Sequence, residues 1–250
     1  MSVMKRYAVV REKYPREVVL LKSLGCAWNK CAFCDYKNDK AESILECIPF
    51  NRQILNKARG GTGVLQIIDS ASFNELPMDT LFDIIETCAA KKISTVILEQ
   101  HWIFRDSFSK IKALFAAHSI GCKFILGLET FDYNFRENVL RKGMGNPSPR
   151  ELSRYFQWAN LLCGAEGQTV GSVENDIRLG LEHFERITVN MFIPNSTVFK
   201  RDNALIAEFY NGELFRQIRL EPRVEILDIL DARAPDLLGG VGYAEGADNA

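Results

Sequence analysis

Along the chain, short runs of aliphatic and β-branched residues alternate with longer stretches whose apolar positions recur every three or four residues. Val18–Leu24 (VVLLKSL) reads as a first strand and Val64–Ile68 (VLQII) as a second. Thr95–Leu98, Lys123–Leu128, Ala159–Cys163 and Ile187–Ile193 continue the series to six. Between them the helical period predicts helices over about Pro77–Lys91, Asp106–His118, Asn134–Lys142 and Val173–Phe184, with another opening at Pro149. In the first of these Leu81, Ile84, Ile85 and Cys88 share a face, and Pro77 suits a first turn. Gly143 is placed to stop the third. Six alternations of strand and helix predict βα units around a parallel sheet. Glu221–Leu230 reads as one more strand or edge segment, and Gly239–Ala250 as a loose end. No internal repeat, linker or composition shift divides the chain, so residues 1–250 are expected to form one domain.

Composition narrows the class. Of 250 residues, 47% are apolar and 25% charged, which suits a chain that buries a core. A net charge of −1 supplies no general attraction to a polyanion, which argues against nucleic acid as the partner. No run approaches the roughly 20 apolar residues that cross a bilayer, and the first 19 residues are too charged for a signal peptide. A cytoplasmic location is expected. In a reducing compartment, seven cysteines with three inside nine residues point to metal binding or catalysis rather than disulfides.

Those three lie in Gly25–Tyr36, GCAWNKCAFCDY, directly after the first predicted strand, spaced C-x4-C-x2-C. Three thiolates on one short loop can each bind one iron of a cubane and leave the fourth iron open. The end of a parallel strand is also where α/β sheets place ligands. Two other metal readings are weaker. A zinc site needs a fourth ligand with paired spacing; Cys47, Cys88, Cys122 and Cys163 are scattered, and His101, His118 and His183 form no pair. A simple electron carrier needs a fourth cysteine and no series of βα units.

The segment resembles the cluster motif of the radical S-adenosylmethionine superfamily, usually C-x3-C-x-aromatic-C, with one extra residue between Cys26 and Cys31. The resemblance covers about residues 18–195 and implies a partial (βα)6 TIM-like barrel, closed by a C-terminal extension over about 196–250. It implies a [4Fe–4S] cluster on Cys26, Cys31 and Cys34, with S-adenosylmethionine bound to the open iron. It further implies Phe33 against the adenine, Ser70 and Ser72 in the turn that takes the methionine amino group, and Glu99 and Glu129 at strand ends facing the ribose or amino group. Asn190 and Phe192 fall in the strand whose backbone commonly meets the adenine. For each of these polar residues a purely structural role, such as a capping serine or a solvated rim acid, stays open.

With a short chain and no appended domain, the variant spacing is similar to that of queuine lyases, which release 7-aminomethyl-7-deazaguanine from queuine. That likeness implies a small deazapurine as substrate and an electron donor such as flavodoxin or ferredoxin. Tyr36, His101, Trp102 and Asp231 are the candidates to contact the base, by stacking or through acceptor oxygens. His101 can equally cap a loop. Asp228, Asp231, Arg233 and Asp236 can equally form a salt-bridged surface segment, and Lys200–Asp202 a solvated helix start. A radical enzyme acting on tRNA or peptide, and a non-catalytic zinc-stabilised module, are the two alternatives.

Overall fold

The computed structural model describes residues 4–234, 236, 241 and 242. These fall into two compact units, the chain crossing from one to the other at the cysteine loop and again inside one strand. The first unit takes residues 4–29, 36–124, 241 and 242; the second takes Lys30–Asp35 and the described residues from Ile125 to 236.

In the first unit β1 (Tyr7–Val10) runs antiparallel to β2 (Arg16–Leu21), which pairs in parallel with β3 (Val64–Asp69), and that with β4 (Thr95–Gln100). The β2 sequence REVVLL is buried at every position, as a central parallel strand covered on both faces requires. Between β2 and β3 comes α1 (Ile44–Leu55), capped by the Ser43 side chain, and between β3 and β4 comes α2 (Met78–Lys91). The buried face of α2 carries Ile84, Ile85 and Cys88, as the 3.6-residue period predicts. The helix ends on Lys92 in the left-handed conformation (φ 57°). A 3-10 helix at Trp102–Ser107 leads into α3 (Phe108–Ala117).

The strand β5 (Gly121–Glu129) begins in the first unit and ends in the second. There it pairs with β6 (Trp158–Cys163), which pairs with β7 (Arg186–Met191), and that with β8 (Val224–Leu227), all parallel. The helices are α4 (Pro149–Tyr155), α5 (Val170–His183), α6 (Asn203–Asn211) and α7 (Glu213–Ile218). Thr169 and Ser172 form a capping box at the start of α5, and Asp202 caps α6. Gly164, just past β6, has φ +82°, and a Cβ there would fall 2.3 Å from Ile206 of α6.

All six predicted parallel strands are present, with ends shifted by a few residues. The predicted helix over Asn134–Lys142 is not: the segment makes one π-turn at Phe135–Val139 and then leaves helical form. Three inward-facing side chains account for the departure. Arg136 is buried and donates to the carbonyls of Thr130, Phe131 and Gly145, Leu140 enters an apolar cluster, and Lys142 is drawn to Glu129. The pattern also gave no sign of β1, α1 and α7, and of α6 only its start at Lys200–Asp202. Pro49 inside α1 speaks against a helix on propensity alone. The expected edge segment at Glu221–Leu230 is β8, while the expected loose end lies outside the described residues except for Val241 and Gly242.

Candidate active site

The predicted site residues lie at or just past the carboxyl ends of the parallel strands, each within its own unit. In the first unit the loop after β2 carries Cys26, whose Sγ accepts from Asn29 N at 3.3 Å. Glu75, in a 3-10 turn after β3, accepts from the backbone N–H of Ala27. Burial pushes the Glu75 carboxyl upward in pKa. Trp28 stacks on His101, with ring centroids 5.9 Å apart and planes 18° apart. His101 caps the 3-10 turn after β4, its Nδ1 accepting from Ile103 N at 3.3 Å. The alternative of a capping histidine is therefore realised, while its ring also braces the loop.

Ser70 and Ser72 are buried and engaged with protein. The Ser70 hydroxyl accepts from Ser23 N at 3.0 Å and lies 3.1 Å from the Ser23 hydroxyl. Ser72 Oγ accepts from His101 N at 3.2 Å. Both serines thus tie the turn after β3 to neighbouring strand ends. Glu99 is half-buried near the end of β4, Trp102 is buried with Arg105 4.7 Å above its ring, and Tyr36 is exposed at the start of a 3-10 turn.

Asp69, the last residue of β3, was not among the candidates. Its Oδ1 accepts from Ala71 N at 2.7 Å, while its Oδ2 is buried with no hydrogen-bond partner. Burial holds this carboxyl well above the ordinary carboxylate range, and the charges of Glu99 and Glu75 add to the shift. A buried acid with a free oxygen at a strand end is ready to meet a polar ligand. The signal was the acid itself, ending an apolar strand immediately before the two serines.

In the second unit Cys31 and Cys34 bracket Phe33, whose ring packs on a core of Leu140, Leu162, Ala165 and Phe192, beside Phe135 and Phe199. Ala32 N donates to Leu140 O at 3.0 Å, and Asn195 Nδ2 donates to Phe33 O at 2.8 Å. Ser196 N donates to Asp35 Oδ2 at 3.0 Å. Asn190 is half-buried in β7, and the backbone carbonyl of Phe192 accepts from Arg201 Nη1 at 2.7 Å.

Glu129 closes β5 beside a register shift, with φ +70°. A non-glycine residue in that region is held there by its surroundings, and such strain concentrates at functional sites. Its Oε1 accepts from the buried Lys142 Nζ at 3.1 Å. Burial alone would lower the Lys142 pKa. The Glu129 carboxylate and the thiolates of Cys31 and Cys34 outweigh it, and the pKa rises.

The charged stretch late in the chain is partly a surface feature. Asp231 binds Arg233 through both oxygens, with a shortest contact of 2.6 Å, and those bonds hold its carboxyl below the usual range. Asp228 and Arg201 depart from the solvated reading. They form a buried pair at 2.6 Å, with the Tyr210 hydroxyl 3.4 Å away, because Arg201 turns inward to meet the Phe192 carbonyl.

Models of known protein families give no match to the chain, and neither do curated proteins. Among solved structures, a queuine lyase from Clostridium spiroforme bound to SAM and queuine is similar at 36% identity and a TM-score of 0.83. The match covers 90% of this chain and 96% of that one. The chain belongs to the queuine lyase family of radical S-adenosylmethionine enzymes. Streptococcus suis SuiB matches at 16% identity and a TM-score of 0.53, covering 84% of this chain and 48% of SuiB. SuiB bound to S-adenosylmethionine matches at 17% and 0.51. At these identities SuiB speaks to the fold alone.

Membership brings the cofactors of the superfamily, a [4Fe–4S] cluster and S-adenosylmethionine, and bears out the expected α/β partial-barrel class. The donor chemistry fits. Cys26, Cys31 and Cys34 are half-buried cysteines held in no disulfide, and thiolates are the ligands iron–sulfur clusters take. Among the described residues no three Cys, His, Asp or Glu side chains are already gathered for a metal. Cluster assembly itself would gather the thiolates, since metal binding and local ordering are coupled. No helix among the described residues is long and apolar enough to cross a membrane.

Proposed function

We propose that this radical S-adenosylmethionine enzyme cleaves queuine and releases 7-aminomethyl-7-deazaguanine, with Cys26, Cys31 and Cys34 as the cluster ligands. The observation that carries the reading is the 36% identity, over nearly all of both chains, to an enzyme bound to SAM and queuine. Held by Cys26, Cys31 and Cys34, a [4Fe–4S] cluster would supply the one-electron reduction of S-adenosylmethionine that starts radical chemistry on the substrate.

The chain's own residues then have definable tasks. The apolar cluster around Phe33 keeps water from the Cys31–Cys34 segment and offers a flat ring toward the adenine. Glu129, held in its strained conformation, presents a carboxylate for ribose or amino N–H and O–H donors. Ser70 and Ser72 hold the turn after β3 in place, and Glu99 stands beside it on β4. Asn190 and Phe192 bring backbone toward the adenine. Asp69, its carboxyl pushed upward by burial and its Oδ2 unpaired, offers a polar atom at the end of β3 to an N–H of the deazapurine. Tyr36, His101, Trp102 and Asp231 remain the candidates that close on the base. We place the protein in the cytoplasm, where flavodoxin or ferredoxin serves as electron donor.

The test is anaerobic reconstitution with iron and sulfide, then dithionite and S-adenosylmethionine with and without queuine. Queuine-stimulated 5′-deoxyadenosine together with 7-aminomethyl-7-deazaguanine is the expected result. Cleavage indifferent to queuine would sink the substrate assignment and keep the class. A protein that takes up zinc and forms no cluster would sink both.

A further inference from the structure

Lys142 belongs to no motif, and nothing in its sequence neighbourhood distinguishes it from a surface lysine. Its side chain is nevertheless buried, at 8% exposure, in the unit that holds Cys31 and Cys34. Nζ lies 3.1 Å from Glu129 Oε1 and 5.6 Å from the centroid of the Phe33 ring, on the residue next to Cys34. Two residues earlier, Leu140 O accepts from Ala32 N at 3.0 Å, which fixes the Lys142 segment against the loop between the two cysteines. The lysine backbone is held in turn by its own N–H donating to Arg136 O at 3.0 Å.

Placing an ammonium in such a site costs several kcal/mol unless opposite charge compensates it. A single monodentate carboxylate is less than the fork geometry that usually accompanies buried cations. The loop that carries Cys31 and Cys34 lies beside this ammonium, through the Phe33 ring and the Ala32–Leu140 bond, so thiolates there would also favour the charged form. The relation is reciprocal. A fixed positive charge beside the Cys31–Cys34 segment, screened by protein rather than water, favours added negative charge on whatever the thiolates hold.

We infer that Lys142, oriented by Glu129, is a positioning residue that raises the reduction potential of the cluster bound by Cys31 and Cys34. This rests on the cluster assignment above. The step concerned is the gain of one electron by the oxidised [4Fe–4S] cluster from an external reductant, dithionite in the assay and a low-potential carrier in the cell. Nuclear charge and bonding are unchanged, and Lys142 keeps its proton throughout. Glu129 acts with opposite sign, because its carboxylate offsets part of the lysine charge.

The experiment is a redox titration of the reconstituted full chain, followed by electron paramagnetic resonance without S-adenosylmethionine. At fixed ambient potential, Lys142→Met is expected to lower the ratio of reduced to oxidised cluster tenfold, which is about 59 mV more negative for one electron. Lys142→Arg should stay within a few-fold of the parent, and Glu129→Gln should raise the ratio. Where Lys142→Met leaves too little cluster to titrate, the double variant Glu129→Gln/Lys142→Met carries no lone buried charge and should fall between the two single variants. Parent-like potentials in both single variants would overturn the inference, as would shifts of the same sign. Parent-like potentials with weakened S-adenosylmethionine binding would make Lys142 a ligand-binding residue instead. Failure of every protein, the parent included, to assemble a cluster would overturn the cluster assignment and this inference with it.

Discussion

The two ends of the cysteine loop are held by different physics. Around Cys26 the contacts are polar and near the surface: a carboxylate on the Ala27 N–H, a backbone N–H on the thiol sulfur, and Trp28 laid on His101. Around Cys31 and Cys34 the contacts are buried: Phe33 in an apolar cluster, backbone bonds to Leu140 and Asn195, and the Lys142–Glu129 pair. The first arrangement relies on interactions that water can replace at low cost. The second relies on apolar packing and on a charge that cannot be left alone. Two of the three proposed cluster ligands therefore sit among buried apolar and charged contacts, and one among polar contacts nearer the surface.

The largest effect should come from the thiols themselves. Ser at any one of Cys26, Cys31 or Cys34 is expected to abolish retained iron and sulfide and to bring 5′-deoxyadenosine below detection. A full cluster in Cys26→Ser, with loss only in the other two, would break the comparison at its root. Next is a buried acid on α5 that meets the backbone of Phe131. Asp176 Oδ1 accepts from Phe131 N at 2.7 Å while its Oδ2 has no partner, and burial raises its pKa from 3.8 to about 6. The folded state therefore binds the proton more tightly than the unfolded chain. Its contribution is complete below about pH 4 and lost as pH rises through 6, worth about 3 kcal/mol in all. Relative to the parent, Asp176→Asn should gain stability across that window in chemical unfolding, and a constant difference with pH would refute it.

Phe33→Ala should cost about 2 kcal/mol of stability through lost packing, below the value for a fully buried ring because Phe33 is half-buried. Glu75→Gln, on the polar side of the loop, should cost only about 1 kcal/mol, since the amide oxygen can still accept from Ala27 N. Denaturant midpoints measured on both variants sharpen the contrast. Equal losses would mean that the two ends of the loop are supported alike.

Much of this was legible in the residues. The six parallel strands, the helix faces and the cysteine loop with its metal character depend on local periodicity and on the spacing of reactive side chains, and both are written in order along the chain. Asp202 was read as a helix start and is the cap of α6. The residues that escaped are those whose role depends on a partner distant in sequence. Lys142 was the last residue of the predicted helix over Asn134–Lys142, yet it turns inward because Glu129, 13 residues earlier, waits at the end of β5. Arg201 was read as solvated, yet it is buried against Asp228, 27 residues later. Asp69 showed no sign that one of its oxygens would be left unpaired.

The sequence by itself determined the alternation of strand and helix, the thiolate-bearing loop and the type of chemistry such a loop supports, because these follow from side-chain type and short-range spacing. The tertiary structure alone decided which charges are buried, which hydroxyls are already engaged and which backbone is strained. Desolvation and hydrogen-bond pairing depend on what surrounds an atom in space, and residues far apart in the chain supply those surroundings.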